Sequence, residues 1–436
     1  MEISFFGGAG EVGRSCIMVK SKEAKILLDA GVKLGEKEEH PQISDEEIKS
    51  VDGIFISHAH LDHCGYLPHM YSAGFKGDFY ATKPSIELID VIVNDYLKIS
   101  KPQGVTKEGM SAFSKHRKIA EYGKEFRFKD LTIKFANAGH ILGSALISVS
   151  DGKETIVYTG DINLAKTKLL QGAELRGLKA GTLIMESTYG AKTDVLPKRD
   201  DTVNKMVASI KDTLTMGGKV IIPTFAVGRG QEILLLIDDY LNSGRLPKTH
   251  IYIDGMINRA MRIHRHNVIF CRDELQKRIL MSDFDPFKSP NFFPVEKKSM
   301  RNQIVAEDTA SIIVTTSGMI VGGPVLFYLT KLARNSANKL IFVGYQAEGT
   351  LGREIRDGAK EVKINHSKVK IELKVEAYKL SAHADRPQLE SLPGKIQGVK
   401  RVIIVHGDKS KSDDLKAALE KRYETIVPKI GDKITI

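Results

Sequence analysis

The chain has 436 residues, enough for two or three domains that each bury a hydrophobic core. Hydrophobic residues make up 42% of the sequence and charged residues 27%, which is ordinary for a globular protein. No run of about 18 apolar residues occurs, so we expect no membrane span. The first residues enter a strand-like run directly, and we expect no secretory leader.

The charge balance and the cysteine content predict the compartment and the kind of partner. Lysine and arginine outnumber aspartate and glutamate by 65 to 54, a net charge of +11, and this surplus favours a polyanionic partner. The cysteines Cys16, Cys64 and Cys271 are scattered and odd in number, so we expect no disulfide framework. Together these features predict a cytoplasmic protein.

The first part of the chain predicts a strand-rich, layered α/β domain. Short apolar runs bounded by Gly or Asp are typical of buried strands. Strands are predicted at residues 3–6, 16–20, 25–28, 53–57, 131–135, 145–150, 155–159 and 182–185, and helices at 84–100 and 107–122. Most of the histidines fall in the loops between these elements.

From about residue 200 the pattern changes to strands that alternate with helices. This alternation predicts a second domain with a parallel sheet. The predicted helices lie at 202–214, 230–241, 256–264 and 324–333, and the predicted strands at 219–223, 250–253, 311–315 and 339–343. The basic residues 264–266 are expected to form a solvated helix end. The tail returns to strand-like runs at 369–379 and 402–405.

Residues 8–13, Gly-Ala-Gly-Glu-Val-Gly, fit the G-x-G-x-x-G pattern of dinucleotide-binding loops. That pattern has to open a helix whose N-terminus binds the pyrophosphate. Here the residues that follow, 15–19, form a short β-rich run. We therefore predict a tight hairpin loop that lines a site.

The strongest chemical signal is residues 57–63, Ser-His-Ala-His-Leu-Asp-His. Three imidazoles and one carboxylate follow a predicted buried strand, and both groups are ligands of zinc and similar cations. His58 and His60 alternate along an extended segment and share a face, while Asp62 and His63 can reach a second ion from the next turn. Four such groups would be costly to leave uncoordinated, so we predict a metal site.

Other predicted strand ends carry further candidate ligands. His140 and Asp161 each follow a strand-like run and have neighbouring glycines, and His406 ends the apolar run Val-Ile-Ile-Val. Each of these residues taken alone is consistent with an ordinary turn residue. Together with residues 58–63 they supply seven groups, enough for two ions that share one carboxylate.

The motif H-x-H-x-D-H, with a later His, a Gly-Asp pair and a terminal His, resembles the metallo-β-lactamase superfamily. Segments 186–190, 222–229, 344–351 and 381–385 resemble its β-CASP branch of nucleic-acid-processing nucleases. The likeness covers nearly the whole chain, and it is greater to archaeal relatives of the cleavage and polyadenylation specificity factor nuclease than to ribonuclease J. It implies an α/β fold: a metallo-β-lactamase αββα sandwich at 1–190 and 365–436, with an inserted β-CASP domain of mainly parallel sheet at 191–364.

The resemblance also implies a binuclear zinc site, with Mn²⁺ as the alternative metal, and assigns its ligands by position. One ion would be held by His58, His60 and His140, and the other by Asp62, His63 and His406, with Asp161 bridging them. Asp29 matches the first motif of the family and is expected to support the metal-binding loops from behind the ligands. Two such cations generate hydroxide at neutral pH and clamp a phosphodiester.

The resemblance implies further roles for residues outside the ligand set. His383 would donate a proton to the departing ribose oxygen, and Glu186 would orient it. The implied catalytic residues are therefore His383, Glu186, Asp62 and Asp161.

Strand ends of the inserted domain are candidate RNA contacts, because ligands of open parallel sheets bind beyond the carboxyl ends of strands. We predict that Arg229, Ser317, Gly318 and Tyr345 bind the RNA backbone. For each of them the alternative is an ordinary turn or helix-start residue.

The predicted function is a zinc-dependent ribonuclease that cuts single-stranded RNA, mainly endonucleolytically, in RNA processing or 3′-end maturation. The alternative is a ribonuclease J-like 5′-to-3′ exonuclease. The complete ligand set argues against an inactive binding subunit, and the inserted domain argues against a small-molecule hydrolase of the lactamase or glyoxalase II type. We expect single-stranded RNA as partner, no membrane, and a homodimer or an RNA-processing complex.

Overall fold

The computed structural model describes residues 1–35, 37–281 and 285–436, which divide into two compact units. Unit 1 comprises Met1–Lys166, Leu170–Val195 and His383–Ile436, and unit 2 comprises Thr167–Leu169 and Leu196–Ala382. Within the described ranges, no helix is both long enough and apolar enough to cross a bilayer.

Unit 1 begins with eleven strands and five helices. The strands are β1 (Glu2–Gly7), β2 (Cys16–Lys20), β3 (Lys25–Leu28), β4 (Gly53–Phe55), β5 (Asp78–Ala81), β6 (Arg117–Ile119), β7 (Glu125–Phe128), β8 (Leu131–Asn137), β9 (Ala145–Ser150), β10 (Thr155–Tyr158) and β11 (Thr182–Glu186). The helices are α1 (Asp45–Ser50), α2 (Leu61–Cys64), α3 (Leu67–Ser72), α4 (Lys83–Ser100) and α5 (Lys107–Lys115).

Unit 2 supplies the middle elements, and the chain then returns to unit 1. The strands of unit 2 are β12 (Lys219–Pro223), β13 (His250–Asp254), β14 (Phe292–Pro294), β15 (Ser311–Thr315), β16 (Lys339–Phe342), β17 (Glu361–Ile364), β18 (Ser367–Lys370) and β19 (Lys374–Ala377). Its helices are α6 (Arg199–Thr215), α7 (Arg229–Asn242), α8 (Ile257–His266), α9 (Asp273–Met281), α10 (Lys298–Ala306), α11 (Val325–Leu332) and α12 (Leu351–Arg356). The return contains α13 (Arg386–Ser391), β20 (Arg401–Val405), α14 (Lys409–Leu419), β21 (Glu424–Ile426) and β22 (Lys433–Thr435).

Two seven-stranded sheets of unit 1 share one core. Their strand orders are β22-β1-β2-β3-β4-β5-β6 and β21-β20-β11-β10-β9-β8-β7. Phe5 and Phe55 from the first sheet pack with Phe135 and Tyr158 from the second, and all four are buried. Burying side chains of this size contributes about 1.5–3 kcal/mol each, which holds the sheets face to face.

Helices cover the outer faces of the two sheets. Phe113 of α5 stacks on Phe79 of β5, with ring centroids 5.6 Å apart. On the other side, Leu389 of α13 and Leu415 of α14 pack against the second sheet at Val402. The predicted αββα sandwich is confirmed.

Unit 2 is built on a six-stranded sheet with the order β14-β13-β15-β12-β16-β19. Every pair in this sheet is parallel. The strands β12 and β15 are buried at every residue, as expected for a parallel sheet that is covered on both faces. The predicted inserted α/β domain with a mainly parallel sheet is confirmed.

The return to unit 1 lies later in the chain than the predicted residue 365. Residues 365–382 belong to unit 2, because β18 pairs with β17 and β19 pairs with β16. The apolar alternation of residues 369–379 indicates a strand but does not indicate which sheet it joins. Only the backbone pairing assigns this segment.

The helix predicted at residues 107–122 is too long. It ends at Lys115, and Arg117–Ile119 instead adds a parallel strand beside Asp78–Ala81. Tertiary pairing here outweighs local helix propensity.

The predicted solvated helix end at residues 264–266 is wrong for His264. Its side chain is buried, and its Nδ1 donates a hydrogen bond to the Ala260 carbonyl oxygen 2.7 Å away. Within the described residues its Nε2 has no hydrogen-bond partner. Burial lowers the pKa of His264 to about 4, because the charged imidazolium would be desolvated.

His264 should therefore make the stability of unit 2 depend on pH. The folded state keeps it neutral, while the unfolded chain takes up a proton below about pH 6.5, so its contribution is present above that pH and is lost toward pH 4. Between about pH 7 and pH 5, we expect the unfolding free energy of the wild type to fall about 2 kcal/mol more than that of His264→Leu. Urea unfolding of both proteins at the two pH values measures this difference, and equal losses would contradict it.

Candidate metal centre

The seven predicted ligands lie in loops and helix starts that follow strands of unit 1. They form two groups, one of His58, His60, His140 and Asp161, the other of Asp62, His63 and His406. Within each group the ligand atoms lie within 4.8 Å of one another, so each group can hold a metal ion. The arrangement corresponds to the ligand sets predicted for the two ions.

In the first group, three imidazole nitrogens face one carboxylate oxygen. The Nδ1 atom of His60 lies 3.2 Å from Nε2 of His58 and 3.1 Å from Nε2 of His140. The Oδ2 atom of Asp161 lies 3.5 Å from His58 Nε2 and 3.6 Å from His140 Nε2. All four atoms therefore point to one small space.

The second group uses the other oxygen of the same aspartate. The Oδ1 atom of Asp161 lies 3.4 Å from His63 Nε2 and 3.5 Å from His406 Nε2. The Oδ2 atom of Asp62 lies 3.6 Å from His406 Nε2 and 3.9 Å from His63 Nε2. Asp161 thus presents one oxygen to each group, which is the arrangement of a bridging ligand.

The spacing and the unpaired atoms both fit divalent cations. Ligand atoms about 2.0–2.2 Å from a tetrahedral ion lie roughly 3.3–3.6 Å from each other, close to the separations observed. In the described part of the chain, the buried Nε2 of His63 and Oδ1 of Asp161 have no hydrogen-bond partner. Buried polar atoms are normally satisfied, and a cation at these positions would satisfy both.

The protonation states suit a cation site. Burial and the neighbouring His63 hold the pKa of His58 well below its ordinary value, so its imidazole is neutral and able to coordinate. Burial opposes the charged form of His63, but the carboxylates of Asp161, Asp29 and Asp62 outweigh it and raise the pKa of His63 well above normal. Without metal, a protonated His63 therefore supplies the positive charge that the carboxylates attract.

Asp29 binds the groups that surround the ligands. Its Oδ1 accepts the backbone N–H of Ser57 at 2.6 Å, and its Oδ2 accepts the hydroxyls of Ser57 and Tyr158, each at 2.7 Å. Oδ2 also lies 2.7 Å from Nδ1 of His63, which leaves Nε2 of that ring for the metal. Asp29 therefore lies behind the ligands, and its role in supporting metal binding stays a prediction.

A close backbone approach fixes the helix that carries Asp62 and His63. The backbone N–H of Ala30 donates to the carbonyl oxygen of His63, and that of Val32 donates to Leu61. Between them, a Cβ on Gly31 would lie 1.8 Å from the carbonyl oxygen of Asp62. Only glycine fits there, because the backbone of the loop after β3 is in direct contact with the backbone of the helix that carries Asp62 and His63.

The glycine-rich residues 8–13 connect β1 and β2, an antiparallel pair, so the predicted hairpin loop is confirmed. The carbonyl oxygen of Gly8 accepts the backbone N–H of His406 at 2.6 Å, and Ser15 Oγ lies 2.9 Å from His406 Nδ1. Ser15 and Tyr158 had not been identified from the sequence as parts of the site. Nothing local could have revealed Ser15, because it is 391 positions from the ligand it contacts.

His383 and Glu186 form a pair beside the metal ligands. Nδ1 of His383 lies 3.0 Å from both carboxylate oxygens of Glu186, and the ring centroid of His383 lies 4.5 Å from that of His140. The carboxylate of Glu186 also accepts the backbone N–H of Ile162 at 2.8 Å, which fixes its position. Burial opposes protonation of His383, but Glu186 and Asp161 raise its pKa to about 9.

The four predicted RNA contacts lie in unit 2. Arg229 begins α7, is buried, and places Nη1 2.5 Å from the Glu232 carboxylate. Ser317 donates its hydroxyl to the Gly322 carbonyl oxygen at 3.0 Å, and a Cβ on Gly318 would approach the backbone of the loop after β12 to 2.9 Å. Tyr345 is partly exposed in the loop after β16. Their role in RNA binding stays a prediction.

Asp29→Asn should weaken metal binding, because an amide NH₂ would replace an acceptor oxygen in a site that holds only donors. We expect the affinity for the metal to fall about ten- to a hundredfold. Metal content after dialysis against graded chelator measures it. Asp130→Asn, which loses a hydrogen bond to Ser21 and contacts no ligand, is the matched control. Equal retention by both variants would contradict the supporting role of Asp29.

Ser15→Ala should loosen only the ion held by Asp62, His63 and His406. Without the Ser15 hydroxyl, the His406 ring loses the partner of its Nδ1. We expect one of two bound metal equivalents to dissociate at about tenfold lower chelator concentration, with the other unchanged. Ser21→Ala removes a hydroxyl from a turn of the same unit and should change neither. A uniform loss of both ions would indicate that Ser15 does not act through His406.

Three segments of the chain match known domain families. Residues 18–189 match the metallo-beta-lactamase superfamily domain, residues 230–355 match the Beta-Casp domain, and residues 368–428 match the Zn-dependent metallo-hydrolase RNA specificity domain. These segments include Asp29, all seven ligands, Glu186 and His383.

Similar proteins extend over the whole chain. The transcription termination factor FttA of Methanocaldococcus jannaschii is 36% identical over 456 residues, which cover 100% of this chain and 72% of that protein. FttA of Methanococcus maripaludis is 37% identical, with coverage of 99% and 71%, and FttA of Cenarchaeum symbiosum is 35% identical, with 100% and 71%.

A solved structure shares the fold. It is a protein of unknown function from Enterococcus faecalis V583, with a TM-score of 0.62 and 15% sequence identity, covering 100% of this chain and 99% of that one. Because this identity is low, the likeness shows the fold alone. The family matches and the archaeal relatives show more: the chain belongs to the β-CASP branch of the metallo-β-lactamase superfamily of metal-dependent hydrolases.

Proposed function

We propose that this protein is a zinc-dependent ribonuclease that cuts single-stranded RNA, mainly at internal phosphodiester bonds. The observation that carries the proposal is the pair of ligand groups sharing Asp161, with His383 and Glu186 beside them. The match to an RNA specificity domain supports RNA as the substrate.

Zinc is the proposed metal because of the kind of ligands. The first group offers three imidazoles and a carboxylate oxygen, and the second offers two imidazoles and two carboxylate oxygens. Nitrogen-rich sets of this kind suit zinc better than magnesium or calcium, which prefer oxygen ligands. Mn²⁺ is the alternative. When bound, two such ions supply positive charge for phosphate oxygens and a hydroxide at neutral pH.

The side chains of the site determine where the ions and protons are held. Asp161 contributes an oxygen to each ligand group, so one carboxylate fixes the separation of the two positions. Asp62 completes the second group from the exposed side, with its side chain 30% exposed, whereas the histidines of that group are buried. We therefore propose that a phosphodiester approaches the ligands of unit 1 from the side of Asp62.

His383 is the proposed proton donor to the leaving ribose oxygen. Glu186 binds its Nδ1, which fixes the ring and leaves Nε2 to carry the proton. The backbone N–H of Ile162 holds Glu186 in place. His383 is the more accessible partner, with its side chain 20% exposed, while Glu186 is fully buried. This arrangement suits His383 as the proton donor that contacts the substrate and Glu186 as the carboxylate that only orients the His383 ring.

The relatives suggest where such a cut is made. They are transcription termination factors, and we propose that this protein cuts RNA during 3′-end formation, either in RNA processing or in termination. The chain spans about 70% of the length of these relatives, so a role in termination is proposed from likeness alone.

Cleavage of RNA labelled at its 5′ end, as monophosphate or triphosphate, distinguishes the proposed activities. An endonuclease should release internal fragments from both substrates and stop when metal is chelated. His63→Ala should lose nearly all activity, and His383→Ala should lose about a hundred- to ten-thousandfold while retaining its metal. His116→Ala, which removes a half-exposed histidine bonded to Asp78, is the matched control and should remain active.

Other outcomes would select another function. Labelled mononucleotide from the monophosphate substrate alone would assign 5′-to-3′ exonuclease activity. A metal-loaded wild type that leaves both RNAs intact would contradict the nuclease proposal itself.

A further inference from the structure

One surface of unit 2 carries more positive than negative charge. The strands β17 and β18 form an antiparallel hairpin, here called the basic hairpin, residues 360–370. Its sequence, Lys-Glu-Val-Lys-Ile-Asn-His-Ser-Lys-Val-Lys, contains four lysines and one glutamate. Val362, Ile364 and Val369 are buried in the core of unit 2, so the apolar face of the hairpin is fixed.

The charged side chains lie on the opposite face, because side chains alternate along a strand. The register places Lys363 directly opposite Lys368, and Glu361 opposite Lys370. Like charges directly opposite each other destabilise an antiparallel pair. Glu361 pairs instead with Lys368 at 3.1 Å, and in the described chain no carboxylate lies within 4.0 Å of the ammonium of Lys363 or Lys370.

The turn of the hairpin has a histidine at a position where glycine would cost less conformational energy. Asn365 and His366 connect the strands with φ values of +48° and +67°. Two-residue turns of this left-handed kind favour glycine at the second position, where it adopts positive φ without a Cβ clash. The sequence contradicts local preference twice here, with an imidazole at a position that favours glycine and with Lys363 directly opposite Lys368. Natural proteins depart from local sequence preferences mainly at functional sites.

We infer that the outer face of the basic hairpin binds the phosphate backbone of single-stranded RNA. The inference rests on the proposed function for the identity of the polymer. The two cross-strand pairs are separated by two residues, about 7 Å along the strands. This is close to the distance between successive phosphates of an extended nucleic acid strand, so neighbouring phosphates can contact Lys363 in one pair and Lys370 in the other.

An acidic protein is the less favoured occupant. The centres of protein interfaces are apolar and aromatic, whereas the outward residues of the basic hairpin are lysines, a glutamate and a serine. The segment that matches the RNA specificity domain begins at residue 368, within β18.

The test is the salt dependence of RNA binding by the full chain. Lys363→Gln/Lys370→Gln removes the two lysines without an acidic partner. Binding of a uridine-rich RNA of about 20 nucleotides is measured in chelator, which prevents cleavage, over a range of salt concentrations. For two lost phosphate contacts, we expect the slope of log K against log salt to decrease by about 1.4, and the affinity at low salt to fall roughly tenfold.

Lys205→Gln/Lys211→Gln is the matched control, because it removes the same charge from the exposed face of α6 in the same unit. It should leave the slope unchanged. An equal loss in both variants would mean that only net charge matters, and an unchanged slope in the hairpin variant would overturn the inference. A polyglutamate peptide that loses binding to the hairpin variant, while RNA does not, would assign the surface to an acidic protein and overturn it as well.

His366→Gly separates binding from folding. Glycine fits the left-handed position better, so the urea midpoint should rise while RNA affinity falls a few-fold. A rise in stability with unchanged RNA affinity would remove His366 from the surface. If the hairpin variants bind RNA normally and the wild type still cuts it, this inference fails alone. If the metal-loaded wild type neither binds nor cuts RNA, the proposed function fails with it.

Discussion

The buried carboxylate of Asp161 is the interaction on which the metal centre depends. It is 2% exposed, and Nε2 atoms of His58, His63, His140 and His406 lie 3.4–3.6 Å from its oxygens. A carboxylate in such surroundings costs several kcal/mol unless positive charge compensates it. Burial opposes its ionisation, but the nearby histidines hold the pKa of Asp161 well below normal. The cluster is therefore a receptor for cations, and divalent ions compensate the charge most completely.

Rigid attachment of the ligand loops makes this receptor specific. Asp29 binds Ser57, His63 and Tyr158, Gly31 allows direct contact with the helix of Asp62, and the hairpin loop at residues 8–13 binds the turn of His406. Each attachment joins a loop from one strand to a loop from another. The ligand positions are thus a property of the whole two-sheet core, and a change in the supporting residues should act on metal affinity before it acts on chemistry.

Local sequence was informative where chemistry is concentrated in one segment. Residues 57–63 contain four ligands within seven positions. The apolar runs indicate most of the strands, and the alternation of strands with helices indicates the parallel sheet of unit 2. Local sequence gave wrong predictions where the structure of a segment depends on residues that are distant in the chain. The segment 365–382 joins unit 2 through β16, residues 117–119 pair with β5 instead of extending a helix, and His264 is buried despite its basic neighbours. In each of these cases the deciding contact is made by residues outside the local pattern.

The sequence by itself determined the inventory of the site: which residue types are present, that they follow strands, and that they resemble the ligands of one superfamily. Only the tertiary structure decided how they are shared, with one oxygen of Asp161 facing each group and Ser15 next to His406 across 391 positions. It also decided that Arg229, predicted to face RNA, pairs with Glu232 inside unit 2. The physical reason is that donor geometry and burial depend on where separate strands end in space. The spacing of residues along the chain does not indicate how far apart the ends of those strands lie.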